Sequence, residues 1–141
     1  MINIYIGQYK KNRRLNKFNM IRYTTICIVL DYFCYMTTTQ NEPAVTMDYL
    51  TNLVFNQSSF KRTSENTTMI HTVIFNMNMM GLLEMVQQDY YAITDAGKAA
   101  YINQSYHIVA ANLYQSKASQ KLSLIAIVIA LVGVFLSIFL H

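Results

Sequence analysis

The 141-residue sequence has one proline, two cysteines, no tryptophan and only four glycines, Gly7, Gly81, Gly97 and Gly133. Glycines this scattered form no phosphate-cradling loop. Cys27 and Cys34 are seven residues apart, which on one helix is about 10.5 Å of rise and too far for a disulfide. Both are expected as packed thiols, as suits a reducing compartment. Neither stands at zinc-ligand spacing from His71 or His107, and no nucleophile sits beside a base along the chain. The expectation is therefore a non-enzymatic protein that needs no cofactor and no metal.

Acidic residues are also scarce, seven against eleven basic ones. None falls in the first twenty residues, which hold Lys10, Lys11, Arg13, Arg14 and Lys17, so the remainder is almost neutral at −1. The basicity belongs to one segment and does not mark the whole chain as a nucleic-acid binder. Residues 1–19 read as an exposed basic arm, suited to lipid headgroups or to phosphates. A competing reading makes Lys10 to Lys17 the charged start of a signal and Ile21 to Met36 its apolar core, but Arg22 and Asp31 interrupt that core.

What the sequence does have is a long apolar run. Leu122 to Leu140 carries no ionisable side chain and, as a helix, extends roughly 28 Å, close to the hydrocarbon thickness of a bilayer. A helix satisfies its own backbone hydrogen bonds and so tolerates lipid. The run is expected to be a membrane anchor, inserted after synthesis because only His141 follows it. Lys117 and Lys121 precede it and no Lys or Arg lies beyond, which keeps the preceding domain cytoplasmic by the positive-inside rule. Ser123, Ala126, Ala130, Gly133 and Ser137 recur at three and four spacing and form a candidate seam for a homodimer in the membrane.

Ahead of the anchor, about 120 residues suffice for one small domain. Ile21 to Met36 reads as a first helix, with Ile21, Thr24, Cys27, Ile28 and Tyr35 near helical spacing, and strand as the competing reading. Thr37 to Pro43 reads as a loop. Thr46 is placed to cap a second helix carrying Leu50, Leu53 and Val54, and Ser64 a third with Ile70, Val73, Ile74 and Met77 on one stripe. Gly81 ends it in a left-handed conformation, closed by Leu82 against Met77. Short alternation around Gln87-Gln88-Asp89 reads as a hairpin. Thr94 caps a last helix with Ala99, Ile102, Tyr106, Val109 and Leu113 on one stripe, continuing straight or with a bend into the anchor.

The segments Gly81-Leu82-Leu83-Glu84-Met85 and Tyr90-Tyr91-Ala92-Ile93-Thr94-Asp95-Ala96-Gly97-Lys98 resemble the winged helix-turn-helix family. In that family a third helix ends at Gly-Leu, a short hairpin forms the wing, and Tyr-x-Leu/Ile-Thr-x-x-Gly-Lys opens the next helix. The resemblance covers about residues 20–101. It implies a mainly α fold with a small β-hairpin, and it implies DNA binding by the third helix. A helical wheel sets Thr68, His71, Thr72, Phe75 and Met79 opposite the buried stripe, and none of these is Arg or Lys. Phosphate neutralisation and bidentate Arg or Lys contacts carry most DNA affinity and readout, so that face suits DNA poorly. Lys61 and Arg62 are the only cations close to it. Outward Phe75 and Met79 suit a protein contact better, whereas a wheel turned by one residue would bury both.

The sequence is thus expected to give a winged-helix-like three-helix domain (residues 20–101) after a basic arm (1–19), a connecting helix (102–121) and a transmembrane helix (122–140). The lead expectation is a membrane-anchored regulatory or adaptor protein whose partners are the lipid bilayer, a membrane protein or a second copy of itself. The alternative is a membrane-tethered transcriptional regulator with nucleic acid as partner. Asn56, Asn66 and Asn103 head Asn-x-Ser/Thr triplets, which matter only if the domain is luminal.

Overall fold

The computed structural model describes residues 2–37 and 44–139, with side chains described for 11–36 and 44–138. The described residues are mainly helical, 79% in five helices, with a small three-stranded antiparallel sheet and one long apolar C-terminal helix. The chain divides into two compact units, Met1–Ala110 and Ala111–His141.

In the first unit, α1 runs from Ile2 to Thr37. The basic segment expected as an arm ahead of this helix is its N-terminal half, and residues 11–17 are exposed on it. Nothing between Gln8 and Thr37 is Gly or Pro, and Lys, Arg, Gln and Leu are good helix formers, so the backbone has no reason to break. Farther on, Thr24-Thr25-Ile26-Cys27-Ile28-Val29 is a poor helix by propensity, yet every residue of it is buried. Tertiary burial overrides propensity, because α1 is packed on by α2 (Met47–Gln57), α3 (Ser64–Met79) and α4 (Asp95–Ile102). Tyr35, expected on the buried stripe, is 70% exposed, and the aromatic that enters the core is Phe33. The expected loop to Pro43 falls mostly outside the described residues.

Thr46 caps α2, accepting the backbone N–H of Tyr49 at 3.2 Å. At α3 the cap is Thr63, one residue before the expected Ser64, and its hydroxyl accepts the N–H of Asn66 at 3.2 Å. Ile70, Val73, Ile74 and Met77 are all buried, as their spacing requires. The helix closes with Gly81 at φ 75°, its N–H donating to the Asn78 carbonyl at 3.0 Å and that of Leu82 to Met77 at 2.9 Å. This is the double closure that a left-handed glycine permits.

The hairpin of β2 (Leu83–Gln87) and β3 (Tyr90–Ile93) follows, with Leu83 opposite Ile93 and Met85 opposite Tyr91. A two-residue β1 (Val45–Thr46), absent from the sequence reading, pairs with the other edge of β3, giving the order β1-β3-β2. Thr94 joins hairpin to helix. Its hydroxyl accepts the N–H of Gly97 at 3.1 Å, capping α4, and donates to the Gly81 carbonyl. Gly97 has no room for a side chain, since a Cβ would lie 2.3 Å from the Leu82 carbonyl oxygen and 2.8 Å from Ile93 Cγ1.

The last helix, expected to run straight or bent into the anchor, is broken into two. α4 ends where the Asn103 N–H bonds to Ala99 O, and Gln104 takes φ 55° before α5 (Ser105–Phe139) begins. The Ala99 to Leu113 stripe is therefore split, and Ile102 is 74% exposed. His107 Nε2 of α5 lies 2.7 Å from the Asp31 carboxylate of α1, and Tyr106 packs near Tyr23.

The second unit is helical from Ala111 to Phe139. Ser105–Ile138 is the one described helix long and apolar enough to cross a membrane. Every large apolar side chain from Leu122 to Ile138 is more than half exposed.

Candidate interaction surface

Burial of one stripe of α3 fixes what its other side presents. Thr68, Thr72, Phe75 and Met79 are exposed, Phe75 by 50% and Met79 by 70%, and His71 is half-buried. The helical phase read from the sequence therefore holds, and the one-residue rotation that would bury Phe75 and Met79 does not occur. The hydroxyls on this helix are turned inward to its own backbone: Thr68 donates to Ser64 O at 3.0 Å and Thr72 to Thr68 O at 2.8 Å. Such back-bonding spends the donors that a polar ligand would use. On the C-terminal half of α3 the exposed apolar side chains are Phe75 and Met79, with Asn76 and Asn78 partly exposed beside them.

The two nearby cations are differently disposed. Arg62 donates from Nη1 to Asn52 Oδ1 and from Nη2 to Asn56 Oδ1, both at 2.8 Å, and its guanidinium sits 5.1 Å over the Phe55 ring. It is clamped against α2, which sequence reasoning could not find because the partners are two side chains of a helix to which Arg62 does not belong. Lys61 is exposed, and its carbonyl accepts the Asn66 amide at 2.8 Å. Asn66 is only 6% exposed and so cannot carry a glycan in the folded domain.

Arg62 also lines an open cleft of about 400 Å³ between α2 and α3, with Asp48, Thr51, Asn52, Thr67 and His71. Asp48 on its wall disfavours an anionic occupant. Buried His71 Nε2 has no hydrogen-bond partner among the described residues. At the tip of the β2–β3 hairpin, Gln87, Gln88 and Asp89 are exposed, with Asp89 at φ 64°, and Met85 and Val86 are about half exposed.

Of the N-terminal cations, Lys11, Arg13 and Arg14 are exposed on α1, and Lys17 forms a 3.2 Å ion pair with Glu65 at the start of α3. Lys10 lies on α1 with its side chain outside the description. Ser123, Ala126, Ala130, Gly133 and Ser137 are exposed on α5, in the second unit, and a Cβ built on Gly133 would meet nothing within 4 Å.

Four side chains of the first unit, Cys27, Cys34, Tyr32 and Tyr91, are held neutral rather than activated. Burial, then the Asp31 charge, pushes the Cys27 thiol up to about 12, and the same two causes raise Cys34. Tyr32 is pushed up to about 12 by burial and by its neighbour Tyr49, and Tyr91 is raised by burial and by Asp89. A thiol so protected is a poor nucleophile and a poor metal ligand. No group of three or more His, Cys, Asp or Glu side chains among the described residues is placed to hold a metal ion.

These shifts predict an alkaline limit to stability. All four groups ionise more readily unfolded than folded, so their contribution is intact below the ordinary thiol value of 9.0 and is lost as pH rises above it toward 12. Far-ultraviolet circular dichroism melts at stepped pH are expected to show a midpoint falling above about pH 9. A midpoint that is flat or rising there would contradict the burial of these groups.

No protein family, curated protein or solved structure matches this chain significantly.

Proposed function

We propose that the chain is a non-enzymatic regulatory or adaptor protein, a winged-helix-like module held at the cytoplasmic face of a membrane by α5 and acting through protein contacts. The observation that carries this reading is the outward side of α3, where Phe75 and Met79 are exposed and no cation stands among them. Three helices, a two-stranded wing and a Thr94-capped helix in that order support the winged-helix part. The length and apolar composition of α5 support the anchor, and Lys117 and Lys121 on its domain side support the cytoplasmic orientation. Anchoring concentrates the module near other membrane proteins, which lets a modest apolar patch suffice for binding.

The test is photo-crosslinking on the full chain in its native membrane, with a benzophenone amino acid at position 75. The reading expects a protein adduct of discrete mass that Met79→Asp removes while the circular dichroism spectrum stays unchanged. An adduct of twice the chain mass identifies a second copy as the partner. Absence of any adduct, together with duplex DNA binding that weakens steeply with salt, would replace this reading by the DNA-binding regulator.

A further inference from the structure

The helical conformation of residues 2–19 gives the basic segment a geometry that an extended arm would lack. Positions 10, 13, 14 and 17 are spaced i, i+3, i+4 and i+7, which places them on one face of α1 within two turns. Lys11 flanks that face. Arg13, Arg14 and Lys17 are all exposed, and among the described residues only Lys17 has a carboxylate partner, Glu65, in an exposed pair of little strength. Like charges at this spacing repel along a helix. A stripe with that cost is stabilised by an external negative surface.

The charge around it is segregated. Residues 1–30 contain six basic side chains and no acid, whereas all seven acids of the chain lie from Asp31 onward. We propose that α1 lies with its 10/13/14/17 face on an anionic lipid headgroup surface, making a second, electrostatic membrane contact beside the one made by α5. A plane of like charges suits a straight row of cations. Duplex DNA is the less favoured occupant, because the helix that would read it, α3, presents no cation on its outward side.

The inference rests on the reading of α5 as a membrane helix for its tether, and the two fail separately. The full chain is incorporated into nanodiscs of zwitterionic phosphatidylcholine and mixed with vesicles of phosphatidylcholine, with or without phosphatidylserine. Co-flotation is expected with phosphatidylserine vesicles only, and it should disappear in high salt. The triple variant Arg13→Gln, Arg14→Gln, Lys17→Gln should partition about a hundredfold less. The charge-preserving Arg13→Lys, Arg14→Lys variant should partition as the parent does. Equal capture by both vesicle types, or a triple variant that binds unchanged with unchanged helicity, overturns the proposal. So does a DNA duplex that displaces the vesicles at lower concentration than phosphatidylserine competes for the stripe. A chain that does not enter the nanodisc counts against the α5 anchor alone, and the same flotation on the free chain then decides the stripe.

Discussion

Replacing Phe33 by alanine is expected to remove about 3–5 kcal/mol from the stability of the first unit. Phe33 has no exposed surface and is the largest fully buried side chain of the domain. It lies on α1, the helix on which α2, α3, α4 and β3 all pack, and its ring meets that of Tyr32 edge-on at 5.4 Å between centroids. Truncation loses the transfer energy of the ring and leaves a void in the core that its surroundings close only by giving up other contacts. A domain of this size has about 5–15 kcal/mol in total, so the variant should melt far below the parent or fail to fold. Leu15→Ala is the matched control on the same helix. Leu15 is 56% exposed, and its loss should change stability by no more than about 0.5 kcal/mol. Denaturant melts of the full chain in nanodiscs read the difference. Comparable losses from both variants would mean that α1 is not the helix around which the core is built.

The second large effect concerns α5. Introducing Ile129→Arg and Val132→Arg places two cations near the middle of the apolar segment. Each costs about 2.5–3.5 kcal/mol at the centre of a spanning helix, so the pair should cost about 5–7 kcal/mol of insertion free energy. The expected outcome is loss of the chain from membranes washed in high salt, which screens the α1 contact, while the α1 to α4 signature in circular dichroism persists. Both sites are more than half exposed and lie in the second unit. The same pair of substitutions in a helix resting against water would be nearly silent, which makes the size of the effect diagnostic of lipid.

How far the sequence discloses this structure depends on whether the signal is local. Thr46, Gly81 and Thr94 act on backbone groups within a few residues of themselves, and each was readable as cap or closure. The buried stripe of α3 was readable because Ile70, Val73, Ile74 and Met77 leave one consistent face, and with it came the exposure of Phe75 and Met79. The N-terminal half of α1 was hidden, since a run of like charges without apolar periodicity looks the same in an arm and in a helix. β1 was hidden for a different reason: two residues carry no alternation, and only the edge of β3, far along the chain, makes them a strand. Thr63 rather than Ser64 caps α3 because both are competent cap residues and one residue of offset is settled by packing. The break at Gln104 lay inside a stripe with helical spacing that ran straight through it. Clamping of Arg62 by Asn52 and Asn56 and the His107–Asp31 contact join residues on different elements, which spacing along the chain does not encode.

The account depends above all on α5 residing in a bilayer while the first unit folds beside it. Alkaline carbonate extraction of membranes from cells expressing the full chain tests this most directly. The predicted result is that the intact chain stays with the lipid pellet and is released only by detergent, then melts cooperatively. Recovery of the chain in the carbonate supernatant, or in the detergent-free soluble fraction as a monodisperse species, would contradict it.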